Sequence, residues 1–237
     1  MKFKLSLLFS LAIAISFSQK KYPKNYFRSP LEIPIILSGS FGELRSNHFH
    51  SGLDIKTQGK EGLKIYAPAD GYVSRIKVSQ YGYGKALYVT DPNGYTTVYG
   101  NLKKFKKEIQ EYVKEIQYKK ERYSTGNIFP NPEQFTVKKG EVIAFSGDTG
   151  GSGGPHLHYE IRDTKTEHII NPMLFGLAPE DDKAPTFTRL MIYPLGKNSR
   201  VNQSTKNAII PIKKTENNIY KSNRVSASGT IGFSVLV

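Results

Sequence analysis

The chain has 237 residues, 38% hydrophobic and 12% aromatic, a globular composition that excludes a disordered chain. Its formal net charge of +14 fits an anionic polymer as partner without naming one. There is no cysteine, so a disulfide scaffold, a thiolate metal site, a cysteine nucleophile and a lipid-bearing N-terminal cysteine are excluded.

Residues 1–18 read as a signal peptide. Lys2 and Lys4 supply the positive start, Leu5 to Phe17 is mostly apolar, and Ser16-Phe17-Ser18 is a small-x-small cleavage site before Gln19. The apolar run is well short of the ~20 residues that cross a bilayer. The chain is therefore expected to be exported, periplasmic or secreted, with no integral membrane anchor and no nucleic-acid partner.

Residues 19–33 look extended and tether-like, punctuated by Pro23 and Pro30. Short strand-like runs follow at 35–37, 63–66, 72–78, 86–90 and 95–99, separated by turn signals. Asp91-Pro92-Asn93-Gly94 marks a hairpin. Residues 103–123 break this rhythm. Phe105, Ile109, Tyr112, Val113 and Ile116 fall on one face of a helix, with Lys and Glu on the other, which predicts a helical insertion. Strands resume at 142–145 and 156–162. Residues 179–185 read as a linker, and 186–237 as a partial second β unit with strands near 186–193, 208–212 and 225–237. That unit is short for a free-standing domain, so the chain is expected to be a fragment or truncation of something longer.

Four of the five His lie in two pairs. One sits in Asn47-His48-Phe49-His50-Ser51-Gly52-Leu53-Asp54, the other in the block from Gly147 to Glu160 that contains His156-Leu157-His158. His156 and His158 are two apart in a strand-like run, so both imidazoles share one face. Both could bind one metal, or one could bind while the other moves protons. His50 and Asp54 would be ~13 Å apart in a straight strand, and a kink at Gly52 would bring them together. Two His and an Asp make a good zinc shell, and three protein ligands with one open position is the pattern of a catalytic zinc. His48 and His168 have no partner that the sequence defines. Gly150-Gly151-Ser152-Gly153-Gly154 fits a nucleophile-elbow pattern, but Pro155 and a strand follow where a helix is needed, so Ser152 is not read as a nucleophile. The glycines suit a tight loop approaching a site floor.

His50-Ser51-Gly52-Leu53-Asp54 resembles the H-x-G-x-D signature of the lysostaphin-type (LytM-like) zinc metallopeptidases. Residues 66–73 are similar to that family's A-x-x-x-G-x-V segment, and residues 147–160 to its long glycine-rich H-L-H-x-E block. The likeness covers roughly residues 35–175. It implies a compact, mainly β, antiparallel metallopeptidase domain of duplicated-hybrid-motif type, placed at 34–178 with the insertion at 103–123. It also implies hydrolysis of peptide bonds in peptidoglycan cross-links or stem peptides with one Zn2+. Carried over residue by residue, the zinc ligands would be His50, Asp54 and His158, and His156 would be the catalytic His.

One departure stands out. Where the family has Tyr-x-His-Leu, with a second catalytic His, this chain has Tyr99-Gly100-Asn101-Leu102. Asn can donate a hydrogen bond but cannot relay a proton. Losing an acid-base group typically costs ~10²–10⁴-fold in rate. Two readings follow: an exported zinc endopeptidase acting on peptidoglycan, or a weakly active or inactive zinc-binding member that binds the wall or regulates other hydrolases.

Overall fold

The computed structural model describes residues 22–181, 183–216 and 219–237; the expected signal peptide at 1–18 lies outside them. The chain divides between Glu180 and Asp181 into two compact units.

In the first unit the strands are β1 (Leu37–Gly39), β2 (Leu53–Lys56), β3 (Lys64–Tyr66), β4 (Gly71–Val78), β5 (Lys85–Thr90), β6 (Tyr95–Gly100) and β7 (Leu102–Phe105). Helix α1 (Lys107–Lys120) follows, then β8 (Gly126–Ile128), β9 (Thr136–Val137), β10 (Val142–Ser146), β11 (His156–Asp163) and β12 (Ile169–Ile170). The main sheet runs β1-β2-β11-β6-β5-β4-β8, with β12 on β11 and β9 on β4; a smaller sheet runs β3-β10-β7. Every pairing is antiparallel.

The β5–β6 hairpin forms where Asn93-Gly94 predicts it. The Asn93 amide donates to the Asp91 carboxylate at 2.8 Å, and Gly94 takes φ +84°. The strands of the main sheet send alternate residues to two faces. Leu157, Tyr159 and Ile161 of β11 join Leu87, Val89 and Tyr99 in one continuous core. His158, Glu160 and Arg162 of β11 therefore project from the opposite face, where Ala86, Tyr88 and Val98 form a small separate cluster. A packed core behind β11 thus fixes the strand that carries the histidines.

Two expectations change. The helix begins at Lys107, not at 103, because Leu102 and Phe105 are strand residues that are buried while β7 pairs with β10. Ile109 and Val113 are the buried residues of α1, with Tyr112 and Ile116 packed beside them. Of the segment expected to be a tether, the described residues 22–33 are packed onto the first unit. Phe27 and Leu31 are buried, and the Phe27 ring meets Phe175 at 5.2 Å and Tyr95 at 6.0 Å, edge to face. Such aromatic pairs contribute ~0.5–1.5 kcal/mol each beyond their burial.

The second unit has β13 (Arg189–Pro194), β14 (Arg200–Val201), β15 (Ala208–Lys214), β16 (Tyr220–Ser222), β17 (Ala227–Ser228) and β18 (Ile231–Leu236). They form a four-stranded sheet, β16-β15-β13-β18, and a β14-β17 pair. Among its described residues only Ile192 and Val201 are fully buried apolar side chains.

Candidate metal centre

His50 precedes β2, the chain bends at Gly52, and Asp54 lies within β2. Glycine is needed at the bend because a Cβ there would sit 2.2 Å from the Tyr159 carbonyl on β11. β2 pairs with β11 so that Asp54 stands opposite His158. The His50–Asp54 kink and the shared face of His156 and His158 are therefore both present.

His50 Nδ1 lies 2.8 Å from the Ser40 carbonyl and must donate to it, which leaves Nε2 with a free lone pair. His158 Nε2 lies 2.8 Å from Glu160 Oε1 and donates there, which frees Nδ1. These two nitrogens and Asp54 Oδ1 stand 2.9–3.1 Å from one another. Three acceptors at hydrogen-bond distance need a positive charge between them. All three residues are buried, at 5%, 8% and 5% exposure for His50, Asp54 and His158. Burial alone would raise the Asp54 carboxyl, but the neighbouring His158 and His50 imidazoles hold it well below the usual carboxylate range. Burial disfavours charge on His158, yet the neighbouring Asp54 and Glu160 oxygens raise it to about 9, so that with no ion present a proton on Nδ1 takes the cation's place between the three groups. The pocket is tuned for a cation. Two imidazole nitrogens and a carboxylate oxygen are the donor set that suits zinc, so the residues fit the metal that the sequence resemblance implies.

A second layer holds these groups. Arg45 donates to Asp54 Oδ2 at 2.9 Å, and the pair fits because residue 39 is glycine: a Cβ there would lie 2.6 Å from Asp54 Oδ2. Glu160 is fully buried and accepts from His158, from Ser51 at 2.5 Å and from the Tyr83 hydroxyl, while its other oxygen accepts from Arg162 at 2.6 Å. Burial would raise this carboxyl, but its bond to His158 and the His158 and Arg162 charges bring it down to about 2. The Tyr83 ring stacks on His158 at 4.7 Å. Glu160 and Arg162 were findable in sequence, being two and four residues from His158 on one strand face; Tyr83, Ser51 and Arg45 carried no such signal.

His156 is half-buried and stays outside the trio. Its Nδ1 donates to the Gly154 carbonyl at 2.8 Å and also meets Ser152 Oγ at 3.1 Å, so Nε2 is its free acceptor, 3.6 Å from Asp54 Oδ1. Ser152 donates to the Gly154 carbonyl at 2.8 Å, a bond within its own loop. The glycine loop lines the site cleft, as its composition suggests, and also leans on a second loop: the Gly151 amide donates to the Gly82 carbonyl at 2.8 Å. Asn101 is buried in the left-handed conformation (φ +58°), and its side-chain amide donates to the Thr149 carbonyl at 2.7 Å. Its Oδ1 therefore faces away from that bond. These groups share a cleft of about 430 Å³ that includes His50, Asp54, His156, His158, Tyr83 and Asn101. His48 lies on its rim, bonded to Asn47 at 2.6 Å, and His168 sits exposed in the turn before β12. Among the described residues, no helix is long and apolar enough to cross a membrane.

The sequence profile of Peptidase family M23 matches residues 48–118 and 122–172, just over half of the chain. An uncharacterized metalloprotease of Haemophilus influenzae is 34% identical over 160 residues, which are 65% of this chain and 28% of that protein. The DD-carboxypeptidase/endopeptidase Mpg of Neisseria meningitidis is 34% identical over 50% of this chain and 21% of its own length. The peptidoglycan DD-endopeptidase ShyC of Vibrio cholerae is 30% identical over 58% and 27%. The match thus spans less than a third of each of these relatives. Among solved structures, the catalytic domain of a point mutant of the prophage-encoded M23 protein EnpA from Enterococcus faecalis has a TM-score of 0.46 at 21% identity, covering 63% of this chain and 98% of that one. The catalytic domain of lysostaphin from Staphylococcus simulans has a TM-score of 0.40 at 22% identity, over 65% and 91%.

Proposed function

This chain belongs to peptidase family M23, and from that premise we propose that it is an exported zinc endopeptidase that hydrolyses peptide bonds in peptidoglycan cross-links or stem peptides. The observation that carries the reading is the convergence of His50 Nε2, Asp54 Oδ1 and His158 Nδ1, three acceptors 2.9–3.1 Å apart beside a free His156 Nε2. The printed names of the Neisseria and Vibrio relatives support the substrate class. The charged start and short apolar run of residues 1–18 support export.

His50, Asp54 and His158 would hold one zinc. When bound, the ion polarises a scissile carbonyl and makes water a better nucleophile at neutral pH. The chain's own residues do the rest. His156 keeps its proton on Nδ1, anchored to Gly154, so Nε2 is the acceptor that takes a proton from the attacking water and returns one to the leaving amine. Arg45 and Glu160 hold Asp54 and His158 in place, and Ser51 and Tyr83 hold Glu160. Asn101 clamps the loop that carries His156 and moves no proton.

That clamp is also what favours a second reading, a metal-keeping wall-binding or regulatory module, since no second proton carrier stands at Asn101. Digestion decides. The zinc-loaded chain is incubated with purified peptidoglycan, and cross-linked muropeptides are followed by chromatography and mass spectrometry beside His158→Ala. Loss of cross-linked species with the wild type alone supports the hydrolase, and the new ends name the bond. No loss with zinc bound selects the second reading. Asn101→His would then be expected to raise turnover in the direction of the ~10²–10⁴-fold that an acid-base group supplies.

A further inference from the structure

The face of the main sheet that carries the metal centre does not end there. Arg162 follows His158 by four residues on β11 and points the same way, about 13 Å along the strand. It lies opposite Thr96 of β6, which in turn lies opposite Thr90 of β5. Around them is a second cavity of about 190 Å³.

Its floor is a chain of hydroxyls. Thr90 donates its single proton to Ser74 at 2.8 Å, so Thr96 must donate to Thr90 at 2.9 Å, and Thr164 to Thr96 at 2.9 Å. Each proton in the row is used, and each oxygen keeps lone pairs. Thr90 and Thr96 are nonetheless buried, at 7% and 9% exposure. One wall is the Arg75 guanidinium, which lies over the Tyr88 ring at 4.5 Å.

Charge narrows the ligand. Two guanidiniums face the cavity, but both are matched. Glu167 bridges Arg75 and Arg162, and Glu160 accepts from Arg162. The two positive charges meet two negative ones, so the cavity has no excess charge for an anion. The Phe129 ring lines the cavity and is 65% exposed. A row of acceptors, balanced charge and an open aromatic ring suit a neutral polyhydroxylated ring. The volume, below the roughly 300–1,000 Å³ of drug-sized pockets, suits one such ring.

We infer that this cavity is a sugar subsite that holds one N-acetylated pyranose of the glycan strand while the peptide attached to it reaches the metal centre. The inference rests on the peptidoglycan reading above. The distance agrees with it: four extended residues span about 13–14 Å, the separation of the two sites along β11. The glycan would thus be read directly by the catalytic sheet. Phe129 and Thr164 become specificity residues for sugar-bearing over sugar-free cross-links.

The test has two arms, both on the full chain. In the first, the N-acetylglucosamine disaccharide is titrated to about 10 mM, ample for a Kd near 1 mM, and followed by saturation-transfer NMR. Transfer to the sugar-ring protons is expected with the wild type and is expected to vanish in Phe129→Ala and Thr164→Val. No transfer, or equal transfer in all three proteins, overturns the subsite. In the second arm, cross-linked peptide dimers are compared with and without their sugars. The wild type should cleave the sugar-bearing dimer with about tenfold higher kcat/KM, and the ratio should fall toward one in both variants. Sugar binding with neither dimer cleaved would keep the subsite and sink the hydrolase reading. Cleavage of both dimers at equal rates with no sugar bound would do the reverse.

Discussion

The two units of this chain are both antiparallel β structures, yet they are built to different standards. In the first, every residue of β6 is buried, and β11 buries five of its eight. In the second, β18 has no buried residue, and Phe233, Val235 and Leu236 are each at least half exposed. A strand held by packing on one face can present side chains from the other with little play. Imidazoles that must meet a carboxylate at about 3 Å need such a support. The metal centre lies in the unit that can supply it.

Core truncation should break this contrast most sharply if it is wrong. Leu157 lies between the two histidines of β11 and is fully buried, so Leu157→Ala should cost about 2–5 kcal/mol in denaturant unfolding. Val235→Ala in the second unit should stay within ~0.5 kcal/mol. Equal costs would erase the difference between the units. Metal comes next. Free zinc at about 100 times its Kd should stabilise the first unit by ~2.7 kcal/mol, and EDTA should remove that gain while the second unit's unfolding does not move. A shift in both transitions would mean the ion binds elsewhere too.

The support of the centre sharpens the comparison further. Glu160→Gln replaces the carboxylate that accepts from His158, Ser51, Tyr83 and Arg162, and should weaken zinc binding by about 10–100-fold in chelator competition. Unchanged affinity would show that the outer layer is idle. The smallest effect concerns two buried tyrosines that face each other at 5.6 Å. Tyr99 shares a hydrogen bond with Thr97 at 2.9 Å, whereas the Tyr159 hydroxyl has no partner among the described residues. Tyr99→Phe should cost about 1 kcal/mol, and Tyr159→Phe should be neutral or stabilising.

Much of the site was legible in sequence because local periodicity carries it. The spacing of His156, His158 and Glu160 puts them on one strand face, and the structure keeps them there. The kink at Gly52 was also legible, though the close approach of β11 that demands glycine there is a long-range contact. The hairpin at Asn93-Gly94 is local chemistry. The rest depended on pairings between distant segments. β2 carries no strand pattern in sequence, since only four residues form it and three are buried without alternation. Phe105 fitted a helical pattern and serves a strand, because burial is common to both. Arg45 and Tyr83 reach the centre across loops whose courses no local pattern fixes.

The central claim is that His50, Asp54 and His158 together hold one zinc. Metal content after equilibration with zinc and gel filtration tests it most directly, on the wild type and on His50→Ala, Asp54→Ala and His158→Ala. The account predicts one zinc per wild-type chain and essentially none in each variant, with all four proteins still folded by circular dichroism. A wild type that binds no zinc, or an Asp54→Ala variant that keeps a full equivalent, would contradict it.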